Sequence, residues 1–335
     1  MGGMHSSMEG NRGFGVALRG AFRRVASVRE AALIAFILFL SLVLGVTTPN
    51  FVSVQNFIAT FTGLALDAVI SAGMAVVMVS GGIDLSVGSV FACSSIVVAK
   101  LINLGLPPLA AVALGMLTAL AWGAINGLLI TRVGLNSLIS TLGTMGMARG
   151  VVYVVTSGRI LSNLPDTFEK IGQSAFLGVP SVIWLAGVVI ALGDILLRRS
   201  RVMRQFFYLG GNEKAARLSG LNIDGLKMGA YILIALLSGL AGIFETSRFG
   251  SAMAPMGTGK ELTAISACVI GGASMSGGEG SVVGAFLGLI LLALVRDGLI
   301  LNDVSVYWQG LIQAAILVAA VSFDVLTRRR GSTTA

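Results

Sequence analysis

Charge is the scarcest property of this 335-residue chain. Asp, Glu, Lys and Arg together make up 11% of it, against about 25% in an ordinary soluble domain. With 55% hydrophobic residues and a mean hydropathy of +0.91, it leaves no room for a separate soluble domain. Histidine is scarcer still. The one copy, His5, lies in a polar tail, so neither a Ser-His-Asp nor a Cys-His pair can be assembled. Of the two cysteines, Cys93 and Cys268, each stands in an apolar stretch with no Cys or His beside it. That argues against a disulfide or a metal site and for two small buried residues. A phosphate loop is missing as well. Ala254-Pro-Met-Gly-Thr-Gly-Lys260-Glu261 lacks the first Gly and the Ser or Thr that would hold magnesium. No ATP hydrolysis follows by that route, no cofactor is expected, and any energy must come from a partner.

What the chain does have is long apolar runs. They lie near 31–47, 58–80, 84–103, 107–131, 136–156, 181–197, 228–247, 261–275, 281–300 and 306–326, and they predict an all-α polytopic membrane protein of about ten spans. The stretches 58–103 and 261–300 admit other cuts. The first run follows basic residues, as in a signal peptide. It ends in Thr47-Thr-Pro-Asn50 rather than a small-residue cleavage site, and reads as an uncleaved span. Fifteen of the 23 Lys and Arg fall in three segments: Arg12, Arg19, Arg23, Arg24 and Arg29; seven from Arg198 to Lys227; and Arg328, Arg329 and Arg330. The positive-inside rule places these three in the cytoplasm and 157–180 outside. The expected organisation is a tail over 1–30, a transmembrane domain over 31–327 with a cytoplasmic loop at 198–228, and a tail over 328–335. The net charge of +8 does not indicate nucleic acid, because it is not gathered on one face with stacking aromatics.

Two Gly-rich breaks interrupt the runs, Ser80-Gly-Gly-Ile-Asp-Leu-Ser-Val-Gly88 and Ser276-Gly-Gly-Glu-Gly-Ser-Val-Val-Gly284. They share five of nine positions, which reads either as an internal duplication or as chance in a Gly-rich chain. Non-helical backbone at membrane depth needs cover from protein or a water-filled cavity. Gly81, Gly82, Asp84, Ser86, Gly277 and Gly278 are therefore pathway candidates. Asp67 and Glu261, acids within or beside spans, join them. Asp84 has two readings, a cap on a helix starting near Leu85 or a direct contact with solute. Asp67 lies inside an apolar run and is expected to face other helices. No second acid recurs at helical spacing on that run, which argues against a proton relay. Glu245 and Arg248, three apart near a helix end, are expected to pair. Gly123 with Gly127, and Gly284 with Gly288, have the spacing for close helix packing, read as packing within one subunit ahead of a dimer interface.

Residues 209–223, Leu-Gly-Gly-Asn-Glu-Lys-Ala-Ala-Arg-Leu-Ser-Gly-Leu-Asn-Ile, predict a polar helical segment between two membrane stretches. Glu213 and Arg217 stand four apart as a stabilising pair, Ala215, Ala216 and Leu218 offer small or apolar contacts, and Gly220 ends the helix. Glu213, Ala215 and Ala216 followed by Gly220 resemble the Glu-Ala-Ala…Gly loop of bacterial ABC importer permeases. Gly81-Gly-Ile-Asp-Leu-Ser-Val-Gly-Ser89 is similar to the signature of the ribose-type sugar permeases. Ser137-Leu-Ile-Ser-Thr-Leu-Gly-Thr-Met through Ala148-Arg-Gly150 resembles their mid-chain helix, and Arg248, Glu261-Leu, Ala264-Ile and Gly271 through Gly280 their C-terminal block. Glu279 departs from the pattern, which has a basic or neutral residue there.

The resemblance covers about residues 50–325. It implies an ABC importer permease fold and solutes of the ribose, xylose, arabinose, galactose and autoinducer class. It implies that Gly211, Asn212, Glu213, Ala215, Ala216, Arg217 and Gly220 dock on a cytoplasmic ATPase. It also implies a second permease copy or close homologue, an external sugar-binding protein, and residence in the bacterial inner membrane with both termini inside. Rival readings are a permease of the same architecture for branched-chain amino acids or nucleosides, and an ion-driven secondary transporter. Asp67 and Asp84 favour the second rival, and residues 209–223 oppose it. An intramembrane enzyme lacks a catalytic pair.

Overall fold

A computed structural model describes residues 30–332; His5 and the basic tail with Arg12, Arg19, Arg23, Arg24 and Arg29 lie outside the described residues, as do residues 333–335. Each of the ten apolar runs forms a helix, and local chemistry sets many of the limits. After α1 (Glu30–Thr47), Ser53 caps α2 (Val54–Val79) by accepting from the Asn56 N–H. Next come α3 (Val87–Asn103) and α4 (Pro108–Thr131), whose first residue is a proline at a position where a missing N–H is harmless. Asn136 caps α5 (Ser137–Thr156). The segment expected as an outer loop is ordered instead, as α6 (Asp166–Gln173) and a hairpin of β1 (Ala175–Phe176) and β2 (Val179–Pro180). It leads into α7 (Ser181–Arg199), α8 (Arg201–Gly211) and α9 (Glu213–Leu218). The chain closes with α10 (Ile223–Phe249), α11 (Lys260–Ile270), α12 (Val282–Leu301) and α13 (Val306–Ser332).

The bundle is organised around α2 and α10. Almost all of α2 beyond its first turns is buried, against α7, α10, α11 and α12, while α10 also packs on α3 and α4. Chain directions follow from cross-helix bonds. Asn56 donates to Asp297 at 2.7 Å and the Gly278 N–H to the Val79 carbonyl at 2.9 Å, so α2 and α12 are antiparallel. Ser281 and Asn302, at the two ends of α12, bond Glu30 and Thr48, so α1 and α12 are parallel. One end of the bundle therefore gathers Arg198, Arg199, Arg201, Arg204, Lys214, Arg217 and Lys227, and is called the basic end below. The opposite end carries α6 and the hairpin.

Among the described residues seven helices (α1, α2, α4, α5, α7, α10 and α12) are long and apolar enough to cross a membrane. Two predicted spans are shorter than the sequence suggests. At 1.5 Å per residue, the 17 residues of α3 reach about 25 Å and the 11 of α11 about 16 Å, short of a ~30 Å hydrocarbon core. Each is preceded by non-helical backbone, over 80–86 and 250–259, that makes up the rest of its passage along the bundle. Pro255, Gly257 and Gly259 account for the non-helical backbone over 250–259, which lies in the gap between the apolar runs 228–247 and 261–275. The small-residue motifs pack within the chain: a Cβ on Gly123 would fall 2.8 Å from Ile232 Cα of α10, and one on Gly288 would meet the Ala267 carbonyl of α11. Cys93 and Cys268 are buried and free.

Candidate translocation and coupling sites

Asp84 lies in the first break and is fully buried, with Ser86, Asn126, Thr141 and Thr144 around it. Its Oδ1 accepts from the Ser86 N–H at 2.7 Å and the Ser86 hydroxyl at 2.6 Å. Asn126 of α4 donates to Ser86 Oγ at 2.8 Å and, more weakly, to Asp84 Oδ2 at 3.4 Å. Thr144 of α5 donates to Asn126 Oδ1 at 2.6 Å, and Thr141 Oγ1 accepts from the Leu85 N–H at 3.1 Å. The donors thus run in series from α5 through α4 to the carboxylate. Of the two sequence readings, the geometry favours the structural one. The carboxylate fixes the turn that starts α3 at Val87, two residues after the expected Leu85, and neither Asp84 nor Ser86 is open to a solute in this chain.

The two Gly-rich breaks, 196 residues apart, meet at the basic end, joined by the bond from Gly278 to Val79. Gly210 of α8 is wedged between them. A Cβ there would collide with the Val79 carbonyl and the Gly278 nitrogen, and a Cβ on Gly277 would stand 2.8 Å from the α-carbons of both Gly210 and Gly81. Gly277 also has φ +87, a conformation L side chains resist. Gly277 is buried and Gly278 half-buried, so these glycines serve close backbone approach. Gly210 escaped the sequence reading, because nothing local to it signals two distant backbones.

Halfway along the bundle the starts of α3 and α11 come together. Arg149 of α5 bridges them, donating to the carbonyls of Ala254 at 2.6 Å, Met256 at 2.8 Å and Gly88 at 3.2 Å. Glu261 turns back on its own helix start and accepts from the Gly259 N–H at 3.2 Å. Lys260 instead reaches Asp67 at 2.6 Å and Glu245 at 3.4 Å, over the ring of Phe91. The expected Glu245–Arg248 pair does not form. Glu245 turns to Lys260, while Arg248 lies over the Phe249 ring and donates to the Thr62 carbonyl at 3.5 Å. Asp67 does face another helix, as expected, and it is not closed in.

The segment 209–223 is not one helix. Leu209 through Gly211 end α8, Asn212 caps α9 by accepting from the Ala215 N–H at 3.0 Å, and Gly220, at φ +81, follows the helix. The Glu213–Arg217 pair forms at 3.5 Å, and a shorter bond of 2.9 Å ties Glu213 to Lys227 of α10. That bond holds the Glu213 carboxyl below its usual range. Ala216 departs from its expected place as an outward contact. It is buried against its own chain, and Gly211, Asn212, Glu213, Ala215, Arg217, Leu218 and Gly220 are the exposed positions. Between α9 and the first break lies a cavity of about 400 Å³, lined in part by Ser80, Gly82, Asn136, Ser137, Glu213 and Tyr231. Among the described residues no group of His, Cys, Asp and Glu is arranged to hold a metal ion.

The family profile described as "Branched-chain amino acid transport system / permease component" matches residues 56–321, from α2 into α13. The chain belongs to this family of permeases. Curated relatives match over nearly the same extent. The ribose import permease protein RbsC of Escherichia coli is 36% identical over 313 residues, covering 92% of this chain and 97% of the relative. Its counterpart in Bacillus subtilis is 36% identical over 287 residues, 85% and 89% of the two chains. The L-arabinose transport system permease protein AraH of Escherichia coli is 34% identical over 276 residues, 82% and 84%. No solved structure matches. The chain is thus a membrane-embedded, multi-span transport permease, in which the broken helices and the polar elements at the basic end stand out from the apolar bundle.

Proposed function

We propose that this permease imports a sugar across the bacterial cytoplasmic membrane as the membrane subunit of an ATP-binding-cassette importer. The observation that carries the solute class is the end-to-end similarity to ribose and arabinose permeases, at 36% and 34% identity. A second copy or close homologue completes the membrane part, and alternating access is driven by a separate ATPase. The basic end, with both termini, lies in the cytoplasm; the end with α6 and the hairpin receives the sugar-binding protein.

Coupling runs through α9 and α8. Glu213, Arg217 and Asn212 shape α9, and Lys214, Ala215, Leu218 and Ser219 form its outward face. A push on α9 reaches the bundle through the Lys227 bond, while α8 touches both Gly-rich breaks at Gly210. In this reading Gly81, Gly82, Asp84, Ser86, Gly277 and Gly278 shape the moving elements, Glu261 caps the start of α11, and Asp67 borders the path.

Uptake of labelled ribose, arabinose, xylose and galactose by the permease, reconstituted with its ATPase and binding protein, tests the solute class. Uptake of branched-chain amino acids alone would refute it. Leu218→Arg tests coupling. Leu218 is 90% exposed, so the change is nearly silent for folding, whereas Ala216→Arg would disturb a buried contact. Leu218→Arg is expected to abolish uptake and weaken ATPase copurification with the permease still in the membrane. Normal uptake would remove α9 from the coupling route.

A further inference from the structure

Asp67 is the fourteenth of the 26 residues of α2, so it stands roughly 20 Å from either end of the helix. Lys260 and Glu245 meet it there from α11 and α10. The three side chains are not sealed: their exposures are 16%, 17% and 19% for Asp67, Lys260 and Glu245. Charged groups at this depth face the interior of an assembly or a watered path, not lipid. The first turns of α2 are exposed on most sides, and on the line that ends at Asp67 the exposed residues are Gln55, Ala59 and Gly63, at four-residue intervals. A Cβ on Gly63 would meet nothing within 4 Å.

The hydrogen-bonding capacity of the cluster is only partly used. An ammonium has three donors; Lys260 donates one to Asp67 at 2.6 Å, and it stands 3.4 Å from Glu245 as an ion pair with no hydrogen bond formed. Among the described residues no other donor reaches Asp67 or Glu245. A donor is left flanked by two acceptors. Adjacent hydroxyls of a sugar, each of which donates and accepts, complement that order without adding charge at membrane depth. The other acids nearby offer no such set: Asp84 is spent within its network, and Glu261 is turned back on Gly259.

We propose that Asp67, Lys260 and Glu245 hold hydroxyl groups of the solute halfway across the membrane. The inference rests on the sugar reading and assigns that solute its contact. The 3.4 Å Lys260–Glu245 contact is the looser of the two, so a hydroxyl enters there, while the 2.6 Å Lys260–Asp67 pair stays closed.

The test uses the complete transporter in liposomes with ATPase and binding protein saturating, and compares uptake rates of ribose and 2-deoxyribose. Saturation removes the binding protein's own preference from the rates. Asp67→Asn and Glu245→Gln are expected to slow ribose uptake about tenfold or more, the size of a lost hydrogen bond to a charged group. They are also expected to shift the ribose-to-deoxyribose rate ratio several-fold, because the two sugars lose different contacts. An unchanged ratio, both sugars slowed alike, would overturn the contact and leave a structural ion pair. Absence of uptake of ribose, arabinose, xylose and galactose alike by the unaltered protein would instead strike at the sugar reading. Should the charge variants fail to reach the membrane, Gly63→Leu decides, since it adds bulk to the approach from a position where a Cβ meets no atom within 4 Å. Slowed uptake with the ATPase still bound supports the site, and unchanged uptake overturns it.

Discussion

Asp84 and Asp67 are both carboxylates at membrane depth, one in the break that follows α2 and the other within α2, and the protein treats them in opposite ways. Asp84 is surrounded by neutral donors: a backbone N–H, a hydroxyl and an amide, themselves braced by Thr144. Asp67 is met by a cation whose second partner is Glu245. The first arrangement is closed and shapes a turn. The second has an accessible side and spare hydrogen-bonding capacity. A Gly-rich setting made Asp84 the sharper functional candidate, yet the acid inside an uninterrupted apolar run is the one that opens. The lesson is that a backbone break demands internal hydrogen bonds, and a carboxylate within it is already occupied in meeting them.

The largest loss is expected at Lys260. Lys260→Met leaves Asp67 and Glu245 facing each other with no cation, and removal of one partner from a buried pair costs about 3–5 kcal/mol. Their partial exposure puts the effect at the lower end of that range. The variant is expected to lower the thermal unfolding midpoint of the purified protein more than any other single charge neutralisation. Asp67→Asn, which leaves one acid with one base, should be far milder. Equal losses from the two would mean that the triad is not one electrostatic unit.

At Asp84 the expected damage is smaller and depends on hydrogen-bond chemistry more than on charge. Asp84→Leu strands the Ser86 N–H and one donor of Asn126, at about 1–3 kcal/mol for each buried group left without a partner. Asp84→Asn keeps an acceptor for Ser86, as Asn does at helix starts, and should retain most of the stability and of the uptake. A collapse of uptake in Asp84→Asn with unchanged stability would give Asp84 a role beyond the turn, and would erase the contrast with Asp67.

The bundle was largely readable along the chain, because ten apolar runs and two Gly-rich breaks are local signals. Gly220 as a helix end and Gly123 as a packing surface were readable for the same reason. Elements whose evidence is short or distant were not. The eight residues of α6 and the 11 of α8 are amphipathic and not apolar overall, so a search for long apolar runs passes over them. The apolar run over 261–275 continues past Ile270 into residues that leave the helix at Gly271, so hydropathy overstates its length. Lys260 and Asp67 are 193 residues apart, and neither position announces the other. Arg149 looks like part of a motif, but its three carbonyl partners exist only once the breaks have folded. Ala216 shows the remaining gap: composition identifies a polar helical segment, while its buried and outward faces depend on how α9 lies against α10.

Glu213 supplies the control that isolates depth from pairing. Its bond to Lys227, at 2.9 Å, is the same chemistry as the Asp67–Lys260 pair at 2.6 Å, but Glu213 is 45% exposed at the basic end. A pair in that setting is screened and contributes roughly 0.2–1 kcal/mol, so Glu213→Gln should barely move the unfolding midpoint, and less at high salt. The pH dependence follows from the direction in which Lys227 holds this carboxyl, below its usual range. A carboxyl lowered in the folded protein adds stability that is complete above its unfolded value and is lost as pH falls through the folded one. Hydrogen exchange of the α9 amides should therefore show unchanged protection free energies from neutral to mildly acidic pH and weaken only below the ordinary glutamate range. If Glu213→Gln proved as damaging as Lys260→Met, pairing itself and not membrane depth would explain Asp67, and the distinction between the two acids of the bundle would rest on geometry alone.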